Sequence, residues 1–105
     1  MEKQGSNNLE KPPFTLDQAV AQVHEIAKQY QSVLFVCNHA RERARKRKAS
    51  SRQIFDVLRN GKGIDGPNLD KYGNWRIKMK YYTCGRAVQV VVVLKENSLI
   101  VVTVI

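Results

Sequence analysis

Acid is what this chain has least of relative to its opposite. Nine Asp and Glu stand against eighteen Lys and Arg in 105 residues, giving a net charge of +9 and a pI near 9.9. An excess of that size attracts nucleic acid, an anionic membrane or an acidic protein, and it fixes no fold. Cysteine is scarce too. Two thiols, Cys37 and Cys84, behind an N-terminus without an apolar run (MEKQGSNNLEKPPF) argue against a disulfide-stapled secreted domain and for reduced thiols in the cytoplasm. Long hydrophobic runs are missing. Val90 to Leu94 and Leu99 to Val102 are the longest, and a bilayer span needs roughly 20 apolar residues. Cys37, His39, His24 and Cys84 lack paired ligand spacing, and Gly61-Lys62-Gly63 lacks the rest of a phosphate-binding loop. Neither a metal nor a cofactor is expected.

What remains is one domain, residues 14–105, behind a polar lead of residues 1–13 containing Gly5 and Pro12-Pro13. Thr15 with Gln18 forms a capping box, and Phe14 is placed to staple onto Ala19. Leu16, Ala19, Val20, Val23, Ile26, Ala27 and Tyr30 then recur at helical spacing. SVLFVC, residues 32–37, is β-branched and aromatic enough for a strand. Asn38 is the expected cap of a helix over 39–48, and Ser50 with Gln53 opens another, with Ile54, Val57 and Leu58 inward. Glycines, Pro67 and two aspartates mark residues 61–73 as loop, with a short extended piece at Ile64. Three strands close the chain. Asn74–Tyr82 alternates, Ala87–Leu94 is apolar on both faces and so central, and Leu99–Ile105 follows. The expected class is α+β, with two or three helices packed on an antiparallel sheet of three to five strands.

The charge is concentrated in the stretch NHARERARKRK, residues 38–48. Between His39 and Arg52, seven cations face Glu42 alone, so six of the nine net charges lie in fourteen residues. On a helix His39, Arg43 and Arg47 fall at i, i+4 and i+8, while Arg41, Arg45 and Lys48 fall on another side. Like charges at that spacing destabilise a helix by a few tenths of a kcal/mol. Solvent or bound anions must compensate. His39 is either a packing residue or a proton carrier. Its cationic neighbours disfavour the imidazolium and favour a neutral base. Arg41, Arg45, Lys46 and Lys48 are candidate phosphate contacts.

A second cationic row lies on the first C-terminal strand. Arg76, Lys78 and Lys80 share one side with Tyr82, and Arg86 follows the turn. Lysines also protect exposed edge strands against aggregation. Cations interleaved with tyrosine nonetheless suit single-stranded RNA, meeting phosphate while rings stack on bases.

Several motifs together carry a family resemblance. His39-Ala40-Arg41-Glu42-Arg43, Arg47, Ser51-Arg52-Gln53-Ile54 and Val57-Leu58-Arg59-Asn60-Gly61 resemble a bacterial family of small domains of unassigned function. Its hallmark runs His-Ala-x-x-Arg-Met-x-x-Arg, a helix, then Leu-x-x-Gly. Gly73-Asn74-Trp75-Arg76, Gly85-Arg86, the Val88–Leu94 run and Val102-Thr103-Val104-Ile105 extend the likeness to the end of the chain. Ala44 stands where the pattern has Met, and Lys48-Ala49 where it has Gly-Ile. The family is similar to the RelE and BrnT toxins of toxin–antitoxin pairs. The resemblance implies a metal-independent endoribonuclease restrained by an antitoxin-like protein. In that scheme His39 is base or acid, Arg43, Arg47 and Arg86 stabilise the phosphorane, Lys78 supports them, Tyr82 is an acid or stacking ring, and Thr103 positions. It requires the residues after Asn38 and the cationic sheet side to open onto one groove. Two other readings use the same chain, a non-catalytic nucleic-acid-binding module and an interaction domain pairing through an exposed C-terminal strand.

Overall fold

The computed structural model describes residues 15–35 and 37–105, apart from the side chains of Cys37, Asn38 and His39. The expected Phe14 staple and the polar lead lie outside the described residues. The Thr15–Gln18 capping box forms at the start of α1 (Leu16–Ala27), and Ala19, Val23 and Ala27 are fully buried along its inner face. Tyr30 does not continue that face. A 3-10 turn (Tyr30–Ser32) carries it off the helix, and its ring stacks on Phe55 at 5.0 Å. Strand β1 (Val33–Phe35) follows, then α2 (Cys37–Lys46).

The second helix begins and ends earlier than its sequence predicts. Asn38 lies inside its first turn rather than before it, and Arg47 and Lys48 form a turn beyond its end. Lys48 takes the left-handed conformation (φ 57), and the amide of Ala49 donates back to the carbonyl of Ala44 at 2.8 Å. That pattern, closed by the buried alanines 44 and 49, is a Schellman-type stop. After it the Ser50–Gln53 capping box opens α3 (Ser51–Asn60), which buries Ile54, Phe55, Val57 and Leu58.

Residues 62–69, expected as loop, form strand β2 (Lys62–Leu69). Its pairing with β3 (Trp75–Thr83) is interrupted by two register shifts, and Gly66 sits at φ +106, with the carbonyl oxygen of Arg76 2.6 Å from where a Cβ would be. These irregularities hide the strand's alternation in the sequence. A tight turn at Cys84-Gly85 leads to β4 (Arg86–Lys95), and a second at Glu96-Asn97 leads to β5 (Ser98–Val104).

The sheet runs β1-β5-β4-β3-β2. It is antiparallel except that β1 lies parallel to β5, which makes it mixed rather than wholly antiparallel. The apolar strand β4 is central, as its sequence predicts. β5 is not an exposed edge, because β4 flanks it on one side and β1 pairs with Leu99–Val101 on the other. The expected exposure of the C-terminal strand therefore does not hold over Leu99–Val101, whereas Val102–Val104 lie beyond the pairing with β1.

All three helices cover one face of this sheet. α2 lies against β5, α3 against β3 and β4, and α1 against α3 and β2. Beneath them Ile77, Met79, Val88, Val90, Val92, Leu99, Val101 and Val104 are buried. Two polar links fasten α1 to α3. The ring of His24 hydrogen-bonds the carbonyl of Gly61 at 2.7 Å, and Arg59 Nε donates to the carbonyl of Ala27 at 2.9 Å while lying over the Phe55 ring. His24 is thus a structural histidine. The fold is α+β, and the described helices all lie on one side of the sheet.

Candidate nucleic-acid interface

Alternation on β3 decides what the open face displays. Trp75, Ile77, Met79 and Tyr81 point to the helices, so Arg76, Lys78, Lys80 and Tyr82 point away, as their sequence pattern predicts. The register carries this across the sheet. Asp65, Lys78, Val91 and Thr103 form one line over four strands; Asn68, Arg76 and Val93 form another; Lys62, Lys80 and Gln89 a third. Four cations therefore share this face with Asp65 as the acid in register with them. Lys62 and Arg76 are exposed, whereas Lys78 and Lys80 are half-buried. Long stems of this kind lie along apolar surface and keep their charged ends in water. Among the described residues, none of the four makes a hydrogen bond or an ion pair with protein.

Spacing suits an extended anion. Alternate strand residues lie about 6.6–7 Å apart, near the repeat of successive phosphates in an extended single strand. Between β2 and β3 a cavity of about 220 Å³ opens among Asp65, Asn68, Arg76 and Lys78. Beside it Val93, Ile100 and Val102 form an aliphatic patch that a larger cavity, about 480 Å³, overlies. Thr103 joins this face two strands from Lys78.

The helix-borne cations form a separate set. Arg41, Arg45, Lys46, Arg47 and Lys48 are exposed and Arg43 half-buried around the buried alanines 40 and 44. Arg41 and Arg45 border a cleft of about 320 Å³ at the N-terminus of α3, beside Ser50 and Ser51. Arg43 and Arg47 lie on the other flank. There the guanidinium of Arg86, on the helix side of β4 opposite Thr83, donates to the carbonyl of Arg47, and its Nε is buried without a partner. A polar cluster adjoins it. Thr83 Oγ1 donates to Asp56 Oδ2 at 2.8 Å, and Gln53 donates to the carbonyl of Thr83 at 3.4 Å.

The sequence-predicted site residues thus divide. Arg76, Lys78, Lys80, Tyr82 and Thr103 share the open face, whereas Arg43, Arg47 and Arg86 gather on the helix side with Arg41, Arg45, Lys46 and Lys48 around them. The single groove expected from the sequence is not formed, because the sheet stands between the two sets. Tyr82 is also engaged elsewhere. Its ring is 69% exposed and its hydroxyl donates to the carbonyl of Gly85 at 2.9 Å, across its own turn and away from the arginines of α2. His39 belongs to the first turn of α2; its ring is outside the described residues. Sequence reasoning missed Lys62 and Asn68, since both sit on the strand taken for loop. Their signal was the polar alternation Lys62, Asp65, Asn68, interrupted by Gly63, Gly66 and Pro67.

The open face holds, among the described residues, cations, hydroxyls and amides over an aliphatic floor, which suits a polyanion. Among the described residues there is no cluster of three or more His, Cys, Asp or Glu able to hold a metal ion, and no helix long and apolar enough to cross a membrane. No curated protein and no solved structure matches the chain. A family model described as "Domain of unknown function (DUF4258)" matches residues 36–105, a span holding β1's last neighbour, both basic sets and every strand from β2 onward, and the chain belongs to that family.

Proposed function

We propose that this domain binds single-stranded RNA across the open face of its sheet. Phosphates meet Lys62, Arg76, Lys78 and Lys80, and bases meet tyrosine and aliphatic surface. The observation that carries this reading is the row of four unpaired cations on the face opposite the described helices. Unpaired cations in water attract phosphate and release its counterions, so affinity must fall with salt. An extended single strand fits a linear row and offers bases for stacking, which a duplex does not. Such a role belongs in the bacterial cytoplasm, and a cognate antitoxin-like acidic protein would compete for the same cations.

Fluorescence anisotropy with a labelled RNA oligonucleotide tests the reading. Single-strand binding loses a log–log salt slope of about 0.7 per phosphate contact. Replacing Arg76, Lys78 and Lys80 by Gln should therefore flatten the slope by about 2 and leave the fold intact. An unchanged slope removes the interface.

A second reading, metal-independent cleavage in the manner of a toxin, is favoured by the contact of Arg86 with the carbonyl of Arg47, just past the end of the helix that bears His39 and Arg43. There His39 would take the ribose 2′-hydroxyl proton and the guanidiniums would stabilise the phosphorane. An RNase assay in EDTA, with wild type and His39→Ala purified in parallel, decides it. Cleavage lost in the variant supports the second reading. Equal cleavage by both, or by neither, sets it aside and leaves RNA binding alone.

A further inference from the structure

The cationic row runs out, at its β2–β3 turn, against a cavity lined by residues of β3, β4, β5 and that turn. Its floor is Val93, Ile100 and Val102, on the open face of β4 and β5, and its wall is Tyr72. Val93 is 5% exposed, so the floor is already sheltered, whereas Tyr72 is 76% exposed and rises from the turn between β2 and β3. An aromatic ring that much in water gains little from its own fold. The backbone that carries it is held in place nevertheless. Asp70 Oδ1 accepts the amides of Tyr72 and Asn74, each at 2.9 Å, while the amide of Asp70 donates to the carbonyl of Asn74 at 2.8 Å and that of Gly73 to the carbonyl of Asp70 at 3.1 Å. Four hydrogen bonds thus fix a five-residue turn whose side chain at the tip has no core to join.

Charge completes the description. Arg76 and Lys95 line the same cavity, and the ammonium of Lys71 lies 5.2 Å from the centroid of the Tyr72 ring. Asp70 is the acid at the rim, and one of its oxygens is committed to the turn. A largely apolar cavity of about 480 Å³ lined by a tyrosine and by two cations is complementary to a nucleobase joined to phosphate.

We infer that this cavity receives one base of the bound RNA strand, stacked on Tyr72 above the Val93–Ile100–Val102 floor, with its phosphate between Arg76 and Lys95. The inference rests on the RNA-binding reading and deepens it. The row of cations supplies affinity for any strand, and the pocket adds a fixed register at one end of it. Stacking of this kind tolerates any base, because each has a π-face.

The test uses the full chain and short RNA oligonucleotides carrying 2-aminopurine at successive positions, since stacking quenches that base. Wild type should quench it at one position more than at the others. Tyr72→Ala should abolish that quenching and weaken binding about tenfold without changing the salt slope. Tyr72→Phe should retain both. Quenching and affinity untouched by Tyr72→Ala, with binding still lost when Arg76, Lys78 and Lys80 are replaced, overturns the pocket and leaves the interface standing. No RNA binding by wild type overturns both. If sedimentation shows that Tyr72→Ala dissociates an oligomer while RNA binding persists, the pocket belongs to a second copy of the chain and the inference fails.

Discussion

Lys48 carries a conformation that its side chain makes costly. At φ 57 it occupies the left-handed position of the stop that ends α2, where an L-residue loses about 1–2 kcal/mol and glycine loses none of it. The pattern that the sequence resembles would place Gly here, which would remove that cost. Lys48→Gly should therefore stabilise the domain by about 0.5–1 kcal/mol after the extra chain entropy of glycine is allowed for. For a domain of this size that raises the thermal midpoint by roughly 2–8 °C, readable by circular dichroism. A lower midpoint would mean that the lysine holds the turn by other contacts. The same residue illustrates how far single positions could be read from sequence. Ala40, Ala44, Ser50 and Gln53 take the places that their spacing and capping chemistry dictate. Tyr30 does not, because it leaves the helix by a 3-10 turn, and Tyr82 reaches its predicted face but spends its hydroxyl on Gly85.

Strongly periodic segments announced themselves, while irregular ones did not. The helices α1 and α3 have complete capping boxes and clear apolar faces, and β3 and β4 have unambiguous patterns, so all four could be predicted from local chemistry. β2 could not, since Gly63 lies where a Cβ would come within 2.6 Å of Leu16 and Gly66 has φ +106, both dictated by neighbours distant in sequence. Pairing between β1 and β5 was equally hidden, because three residues of parallel strand leave little local signal. One connection between elements is open to direct test. Arg86 joins the start of β4 to the turn that follows α2 through the carbonyl of Arg47. Arg86→Ala should cost about 1 kcal/mol, a typical net value for one hydrogen bond. The urea midpoint should fall with an unchanged m-value, and amide exchange of Arg47, Lys48 and Ala49 should quicken. An unaltered exchange pattern would show that the end of α2 is held by its own stop alone.

The two basic surfaces have different neighbours although they belong to one charge excess. Composition disclosed the excess, and alternation disclosed the sheet row. Only the packing of three helices on one face revealed that the sheet divides the cations. The set on α2 flanks a helix end and a cluster containing Asp56, Thr83 and Gln53, while the set on β2 and β3 stands over aliphatic floor with no partner. Net charge alone would let both sets attract RNA equally, so they must be compared at equal charge. The decisive measurement is RNA affinity, across a salt series, for two triple variants that each remove three charges: Arg76, Lys78 and Lys80 to Gln, and Arg41, Arg45 and Lys46 to Gln. Binding on the open face predicts that the sheet variant loses most of the affinity and about 2 of the salt slope, while the helix variant stays near wild type. Loss confined to the helix variant, with the sheet variant binding as wild type does, would contradict it.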